Sequence, residues 1–555
     1  MKKIYFIMMI AVVAMLGLAS CSDDDYTSKY TDPSKTNTVT CDKLMTGVFL
    51  TGKQYAQSTY WRLFTFDTQF IGRLASTYGY TSDKDAYGGV AEDYNDDRWE
   101  NFYNMLSQYK LLEYTYDNLS ESDQEAQEIY KMVSKVYVYD QLQQMVDLWG
   151  DVPYSEACTV QLTSDITTAY PSYDSAESLY EMMLDDLGSI VNKLDDLNES
   201  GLDEDVASSF ASQDYICKGD IPSWGRYANG LRARIAMRCA TNGNSLASKG
   251  QAALKECFAS GNLFTLDDVN DDIRIDVGEA SGDWNLVDNW LKSGWESWTH
   301  SCNTASDFML ELMGARADSQ DPRLRVMFAY NNADQVYRGK DAFEVPTYQS
   351  AMSDSANYYS CLDSATFSRN AGYFEPTMTA AEFLLIGAEA AERGYISGNA
   401  EEYFKKGMKA SIDYYFALNA ASTYYSDAYH MNKFAKPGDD EIDDYVNTTW
   451  AGSTNHIQTI CEQYWIHLGI PYAVQAYANV RRTGYPELTY VDWSNQSTEY
   501  PLPFDRLKYP SSETMNNTTN CQAAIQEQFG GTDTWYQPIF WAKSKWYNTI
   551  SEPKE

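Results

Sequence analysis

Residues 175–198 read SAESLYEMMLDDLGSIVNKLDDLN, and in them Leu179, Met183, Leu187, Ile190, Leu194 and Leu197 recur at spacings of 4, 4, 3, 4 and 3. At roughly 3.6 residues per turn, that spacing puts all six on one face of a helix, with Asp, Glu and Asn on the other. The same pattern extends in both directions along the chain. Ile129, Val133, Val136 and Met145 form a stripe within 124–149, Trp224, Tyr227, Leu231 and Ile235 a second, and Ile457, Ile460, Tyr464 and Leu468 a third. The stretch from Ala380 to Arg393 is dense in Ala and Glu, both strong helix formers. The chain is therefore expected to be mainly α.

The helices fall into pairs: 124–149 with 175–198, 223–241 with 245–259, and 379–394 with 399–417. The last pair is joined by a turn holding Gly394 and Gly398. Small residues in it (Gly387, Ala388 and Ala391, then Gly407 and Ala410) leave room for two backbones to approach. Two readings fit: tetratricopeptide-like hairpins of degenerate sequence, or a helical bundle with no repeat relation. Between the pairs lie long polar, aromatic-rich stretches at 76–98, 265–304, 330–375, 419–455 and 485–548. Loops of that length in a compact chain usually carry function.

Composition narrows the function. The 555 residues are 44% hydrophobic and 22% charged, as in an ordinary globular protein, but the net charge is −37 and 14% of residues are aromatic. Such acidity argues against nucleic-acid binding, which needs a basic footprint on the phosphates. Met1-Lys2-Lys3 followed by the apolar run Ile4–Leu16 reads as a secretory signal peptide, too short to span a bilayer comfortably. It ends in Leu18-Ala19-Ser20-Cys21, which resembles a bacterial lipobox; the alternative is an ordinary signal peptide cleaved near a Cys. The expected organisation is a lipoprotein signal peptide over 1–20, lipidation at Cys21, an acidic and polar tether over 21–40, and one helical domain over 41–555. Of ten Cys, setting aside Cys21 leaves nine, so a complete set of intrachain disulfides is impossible. Cys217, Cys239, Cys257 and Cys461 lie in or beside helical patterns, where a buried free thiol is the expected role.

Five stretches resemble the SusD/RagB family of Bacteroidetes glycan-uptake proteins. Residues 144–157, QMVDLWGDVPYSEA, are similar to its DLYGDVPYSEA segment, and 224–238, WGRYANGLRARIAMR, to its Arg-rich helix. Asp321-Pro322-Arg323-Leu324 matches its DPRL, and Glu382 with Ala388-Glu389-Ala390-Ala391 its AEAA helix. Arg481-Arg482-Thr483-Gly484-Tyr485-Pro486 matches its RRTGYP, with Val480 where the family usually has Trp. The matches keep the family's order between about residues 40 and 510. Ser22-Asp23-Asp24-Asp25 also resembles the surface-export tag of Bacteroidetes lipoproteins. The resemblance implies a SusD-like fold of four tetratricopeptide-like helix pairs with long irregular loops. It implies a non-catalytic, outer-membrane lipoprotein that faces the cell exterior, binds oligosaccharide and delivers it to a SusC-like TonB-dependent transporter. Two other functions stay open, a surface glycoside hydrolase and a helical-repeat adhesin that binds protein. The matched motifs read as scaffold, and the family's contact residues are too poorly shared to transfer.

Chemistry therefore has to nominate the site. Four His without HExxH spacing argue against zinc, and no GxSxG, P-loop or GxGxxG is present. The oxygen-rich run Asp267-Asp268-Val269-Asn270-Asp271-Asp272 admits Ca²⁺ but lacks the Gly and spaced Glu of an EF-hand loop, and no other cofactor is expected. Aromatics in the long loops are the stronger signal. Trp284, Trp290, Trp295 and Trp298 fall within 15 residues of one another, among Asn285, Asp288, Asn289, Glu296 and Asn303. Tyr78, Tyr80 and Tyr87 lie in a second loop, and Tyr358 and Tyr359 in a third. A sugar has an apolar C–H face and a rim of hydroxyls, so flat rings beside short polar side chains suit it. The expected ligand-binding residues are thus Tyr78, Tyr80, Tyr87, Trp284, Trp290, Trp295, Trp298, Asn303, Tyr358 and Tyr359. The competing reading of each ring is that it caps the core beneath its loop.

Overall fold

A computed structural model of the chain describes residues 39–79, 91–265, 271–278, 286–296, 304–340, 358–425, 433–491, 503–547 and 549–551. The main helices are α1 Cys41–Ala56, α2 Ala91–Asp117, α3 Glu121–Trp149, α4 Ala176–Ser200, α5 Glu204–Gln213, α6 Ile221–Ala240 and α7 Ala247–Ala259. They continue with α8 Ala380–Glu392, α9 Ala400–Ala421, α10 Asp439–Ala451, α11 His456–Leu468, α12 Ala473–Thr483 and α13 Thr518–Phe529. Strands are few among the described residues. β1 (Ile273–Asp276) runs antiparallel to β2 (Phe374–Met378), and β3 (Thr489–Val491) parallel to β4 (Thr549–Ser551).

Local sequence explains where the helices begin. Ser120, Ser175, Asp220 and Thr379 each accept a hydrogen bond from the backbone N–H three residues on, satisfying a donor the helix itself leaves open. Gly150 ends α3 at φ 86°, a conformation that β-carbon crowding disfavours in other residues.

Two of the three expected pairs are present as read. α8 packs on α9 across the Gly394 turn, and α6 on α7. A β-carbon at Gly407 would lie 2.9 Å from Leu385, so this glycine does permit the close α8–α9 approach. Gly387 faces Phe258 of α7 as well as Tyr403 of α9. The third pair is a correction. α3 and α4 touch, but α3 packs mainly on α1 and α2, and α4 mainly on α6. The reason is that α3 is central rather than one-sided: every residue from Val136 to Trp149 is buried, including the polar Asp140, Gln141, Gln143, Gln144 and Asp147. A helix buried all round shows no clean stripe.

One hydrophobic core runs from Cys41 to Trp546, and buried ion pairs cross it. Arg234 of α6 reaches Asp140 of α3 at 2.9 Å and Glu382 of α8 at 2.7 Å. Arg482 of α12 grips Glu389 of α8 through two bonds of 2.7 and 2.6 Å, and Arg323 bonds Asp321 at 2.6 Å. The family-like motifs are thus scaffold, as expected. Cys217, Cys239, Cys257 and Cys461 are buried free thiols, and burial pushes Cys239 and Cys257 up to about 12.

Burial also pushes the carboxyls of Asp67, Asp272 and Asp363 up to about 7. An unfolded Asp titrates near about 4, so between ~4 and ~7 the folded chain holds protons that the unfolded chain has released. Stability from these groups is therefore fullest below ~4 and falls as pH rises through ~7. Glu389 runs the other way. Burial alone would raise it, but Arg482 and Arg393 overcome that and hold it at about 2, so its contribution is lost as pH falls from ~4.5 toward ~2. The thermal midpoint is expected to peak in the mildly acidic range and to drop by pH ~8, with a shallower drop in Asp363→Asn. Calorimetric scans across pH check this; a midpoint that rises from pH ~5.5 to ~8 contradicts it.

Candidate carbohydrate-binding site

Among the described residues Trp61 is the only exposed tryptophan, and it lies outside the aromatic-rich stretches. Trp61 opens a π-helical segment, Trp61–Ile71, whose other residues are all buried, while Trp61 itself is 41% exposed. π-helical turns are rare and tend to mark functional sites. Beneath Trp61 the segment is pinned by Arg62, which bonds Asp67 at 3.1 Å and Glu375 of β2 at 2.8 Å, and lies over the Tyr472 ring. Tyr60 meets Trp61 edge-on at 5.7 Å and stacks on Phe64 at 5.2 Å.

A second π-helical segment, Val287–Leu291, packs against the first through the turn that follows it, where a β-carbon at Gly294 would lie 2.6 Å from Leu63. It carries Trp290, half-buried, with Lys53 Nζ of α1 5.7 Å from the ring centroid. Asp288 and Asn289 are exposed beside it. Tyr60, Trp61 and Trp290 therefore sit on two joined segments, with polar side chains around them.

Three expected contacts fall elsewhere. Trp295 is fully buried, its ring edge-on to Phe367 at 5.6 Å and Tyr373 at 5.5 Å, and its Nε1 donates to the Tyr78 hydroxyl at 3.1 Å. Tyr78 is buried too and donates to the Ile470 carbonyl at 2.7 Å. Both are core, because their segment is the seam between the loop and the helices. Tyr359 is buried against Tyr358, with Lys340 Nζ 5.5 Å from its ring. Tyr358 stays half-buried under Arg338, whose guanidinium lies 4.2 Å from its ring. Near it, Asn331 Nδ2 donates to the Tyr358 carbonyl at 2.7 Å, and the adjoining Tyr330, 45% exposed, lies 4.3 Å from Tyr337. Tyr80, Tyr87, Trp284, Trp298, Asn303 and Cys21 lie outside the described residues.

Residues 267–270 of the acidic run also lie outside the described residues. Asp272 accepts the Ala380 N–H at 2.7 Å at the start of α8, and Asp271 accepts from the Thr265 hydroxyl at 2.6 Å. Both have structural partners. Among the described residues no group of three or more His, Cys, Asp or Glu could hold a metal ion.

Trp61 carries a sequence signal of its own: an aromatic pair, Tyr60-Trp61, shortly after the end of α1 and ahead of a Phe-rich run. Tyr330 had one as well, since it precedes Asn331-Asn332, the same ring-plus-amide mixture that drew attention to 284–303.

A search of curated protein sequences returns no match. Solved structures do match. A protein described as chitin-binding shares 23% identity, covering 90% of this chain and 100% of its own, with a TM-score of 0.69. A chitin-binding SusD homologue from Flavobacterium johnsoniae shares 22% identity over 90% of this chain and 98% of its own, with a TM-score of 0.64. A SusD homologue from Parabacteroides distasonis shares 16% over 93% and 99%, with a TM-score of 0.69. The likeness to these structures shows the fold. Residues 33–510 match the model of the SusD-like family described as starch-binding and associating with the outer membrane, and the chain belongs to that family.

Proposed function

We propose that this protein is a non-catalytic receptor that binds glycan at the outer surface of the cell and passes it to a TonB-dependent β-barrel transporter. The observation that carries the binding half is the Tyr60–Trp61–Trp290 shelf: an exposed indole held by a buried ionic anchor and, on the segment that packs against it, a second, half-buried indole next in sequence to the exposed Asp288 and Asn289. Flat rings can take the C–H face of a sugar while short polar groups meet its hydroxyls. Tyr330 and Tyr358 offer a second patch of the same character. The family description names starch, and two of the structural relatives are titled chitin-binding, so oligosaccharides of those two polymers are the first ligands to test.

Losing one stacking ring costs about 0.5–1.5 kcal/mol, roughly a two- to tenfold weaker Kd. Trp61→Ala and Trp290→Ala are each expected to show that loss by calorimetry against a glycan identified on an array, with no hydrolysis products on prolonged incubation. If both variants bind like the parent, the shelf is not the site. Appearance of products would favour a hydrolase, and capture of host proteins but no glycan would favour an adhesin.

The delivery half rests on topology. No described helix is long and apolar enough to cross a membrane, and only spanning helices or closed barrels cross a bilayer. Captured ligand must therefore be handed on. A tether of about 17 residues from a lipidated Cys21 keeps the receptor within tens of ångströms of the membrane, since extended chain spans roughly 3.3–3.6 Å per residue. That confinement raises its effective concentration at a membrane partner. Gentle solubilisation of native cells and pull-down through a C-terminal tag should recover a partner of barrel size. Cys21→Ala should release the receptor from the membrane fraction. A mutant that stays in the membrane pellet without a partner contradicts the anchor, and a parent protein recovered alone contradicts the importer.

A further inference from the structure

Between α6, α8, α11 and α12 lies a small internal chamber of about 10 Å³, walled by Arg238, Ile386, Glu389, Ile460, Tyr464 and Asn479 among others. That volume suits one water molecule. Its polar wall is unbalanced in one direction. Asn479 is buried, its Oδ1 accepts from Arg482 Nη2 at 2.6 Å, and its Nδ2 donates to nothing. The Arg482 bond fixes which end of the amide is oxygen, so exchanging O and N offers no way out. Arg238 Nε also lacks an aligned acceptor, although Asp147 Oδ2 lies 3.3 Å away. An unsatisfied buried donor costs about 1–3 kcal/mol, which makes a partner strongly favoured.

We infer that the chamber is the site of one ordered water molecule that joins α8, α11 and α12. The water accepts the Asn479 Nδ2 proton. It has two protons of its own to donate, and the wall offers acceptors for them. The Tyr464 hydroxyl, whose own proton goes to Glu382 Oε1 at 2.7 Å, retains a lone pair. The Glu389 carboxylate, which accepts from Arg482 and Arg393, stands beside it. A halide would satisfy the Asn479 donor but would face the Glu389 carboxylate, so the wall selects a molecule that both accepts and donates. Glu389 belongs to the AEAA helix, whereas Asn479 and Tyr464 lie outside the family-like motifs.

A crystal structure of the mature protein at a resolution that shows waters tests this directly. A density peak within hydrogen-bond distance of Asn479 Nδ2 and of Tyr464 Oη is the expected result. The longer side chain of Ile460→Met should displace that peak and lower the thermal midpoint. A parent chamber without density overturns the inference whether or not the variant folds. An anomalous peak at the site after a bromide soak also overturns it, in favour of an anion.

Discussion

Arg234→Met should cost this protein about 3–5 kcal/mol, the range seen when one partner of a buried ion pair is removed. Arg234 stands between two carboxylates, Asp140 and Glu382, and all three are almost wholly shielded from water. Its fork donates to both Glu382 oxygens at 2.7 Å, its Nη1 to Asp140 at 2.9 Å, and its Nη2 also to the Thr377 carbonyl at 3.0 Å. Methionine fills much of the volume but leaves two buried acids facing each other without a cation. Burial already raises Asp140, and losing the Arg234 charge removes what opposes that rise.

The penalty comes from the stranded acids rather than from the value of the pair itself, and this gives a control. Adding Asp140→Asn and Glu382→Gln to Arg234→Met should recover part of the loss, because neutral amides cost less to bury than charges. Arg338→Met breaks a more exposed pair with Asp334 and should cost no more than about 1 kcal/mol. Denaturant unfolding of the four proteins gives the comparison. An Arg234→Met protein within about 1 kcal/mol of the parent would show that these ion pairs do not hold α3, α6 and α8 together.

The helices were legible where periodicity reports burial on one side, as in α4, and α8, buried continuously from Ala380 to Ala390, was legible from its Ala and Glu content instead. α3 was legible as a helix but not in its partners, since a helix buried all round carries no direction in its pattern. The motifs were legible as scaffold, and the reason appears only in three dimensions: Arg234, Glu389 and Arg482 find their partners on helices more than 90 residues away in sequence. The site was harder to read. An aromatic ring in a polar loop looks the same whether it faces solvent or roofs the core, because both roles favour Trp and Tyr flanked by polar residues. Trp290 and Trp295, five positions apart, differ only in degree: Trp290 packs half-buried against the core, and Trp295 is enclosed by it. Trp61 was missed for the opposite reason. It belongs to a helical segment rather than a loop, and its neighbours Arg62 to Ile71 are buried.

Trp295→Ala should therefore act on stability and not directly on ligand. The indole is fully enclosed by Phe367, Tyr373 and Tyr78, and truncating a buried Trp typically costs about 3–5 kcal/mol through lost burial and the cavity left behind. Losing the Nε1 donor adds little, because the Tyr78 hydroxyl keeps its own bond to the Ile470 carbonyl. Trp295→Phe retains most of the ring and should fall between the parent and the alanine variant. Trp61→Ala, on an exposed ring, should stay within about 0.5 kcal/mol of the parent. The two alanine variants thus make opposite pairs of changes: Trp295→Ala large in stability and small in the Kd of the folded fraction, Trp61→Ala small in stability and two- to tenfold in Kd. Thermal scans establish the temperature at which each variant is folded, and calorimetry below it reads the affinity. A Trp295→Ala protein as stable as the parent would mean that the ring is not part of the core. One that is folded but unable to bind would return Trp295 to the binding surface and leave the Trp61 shelf as a secondary feature.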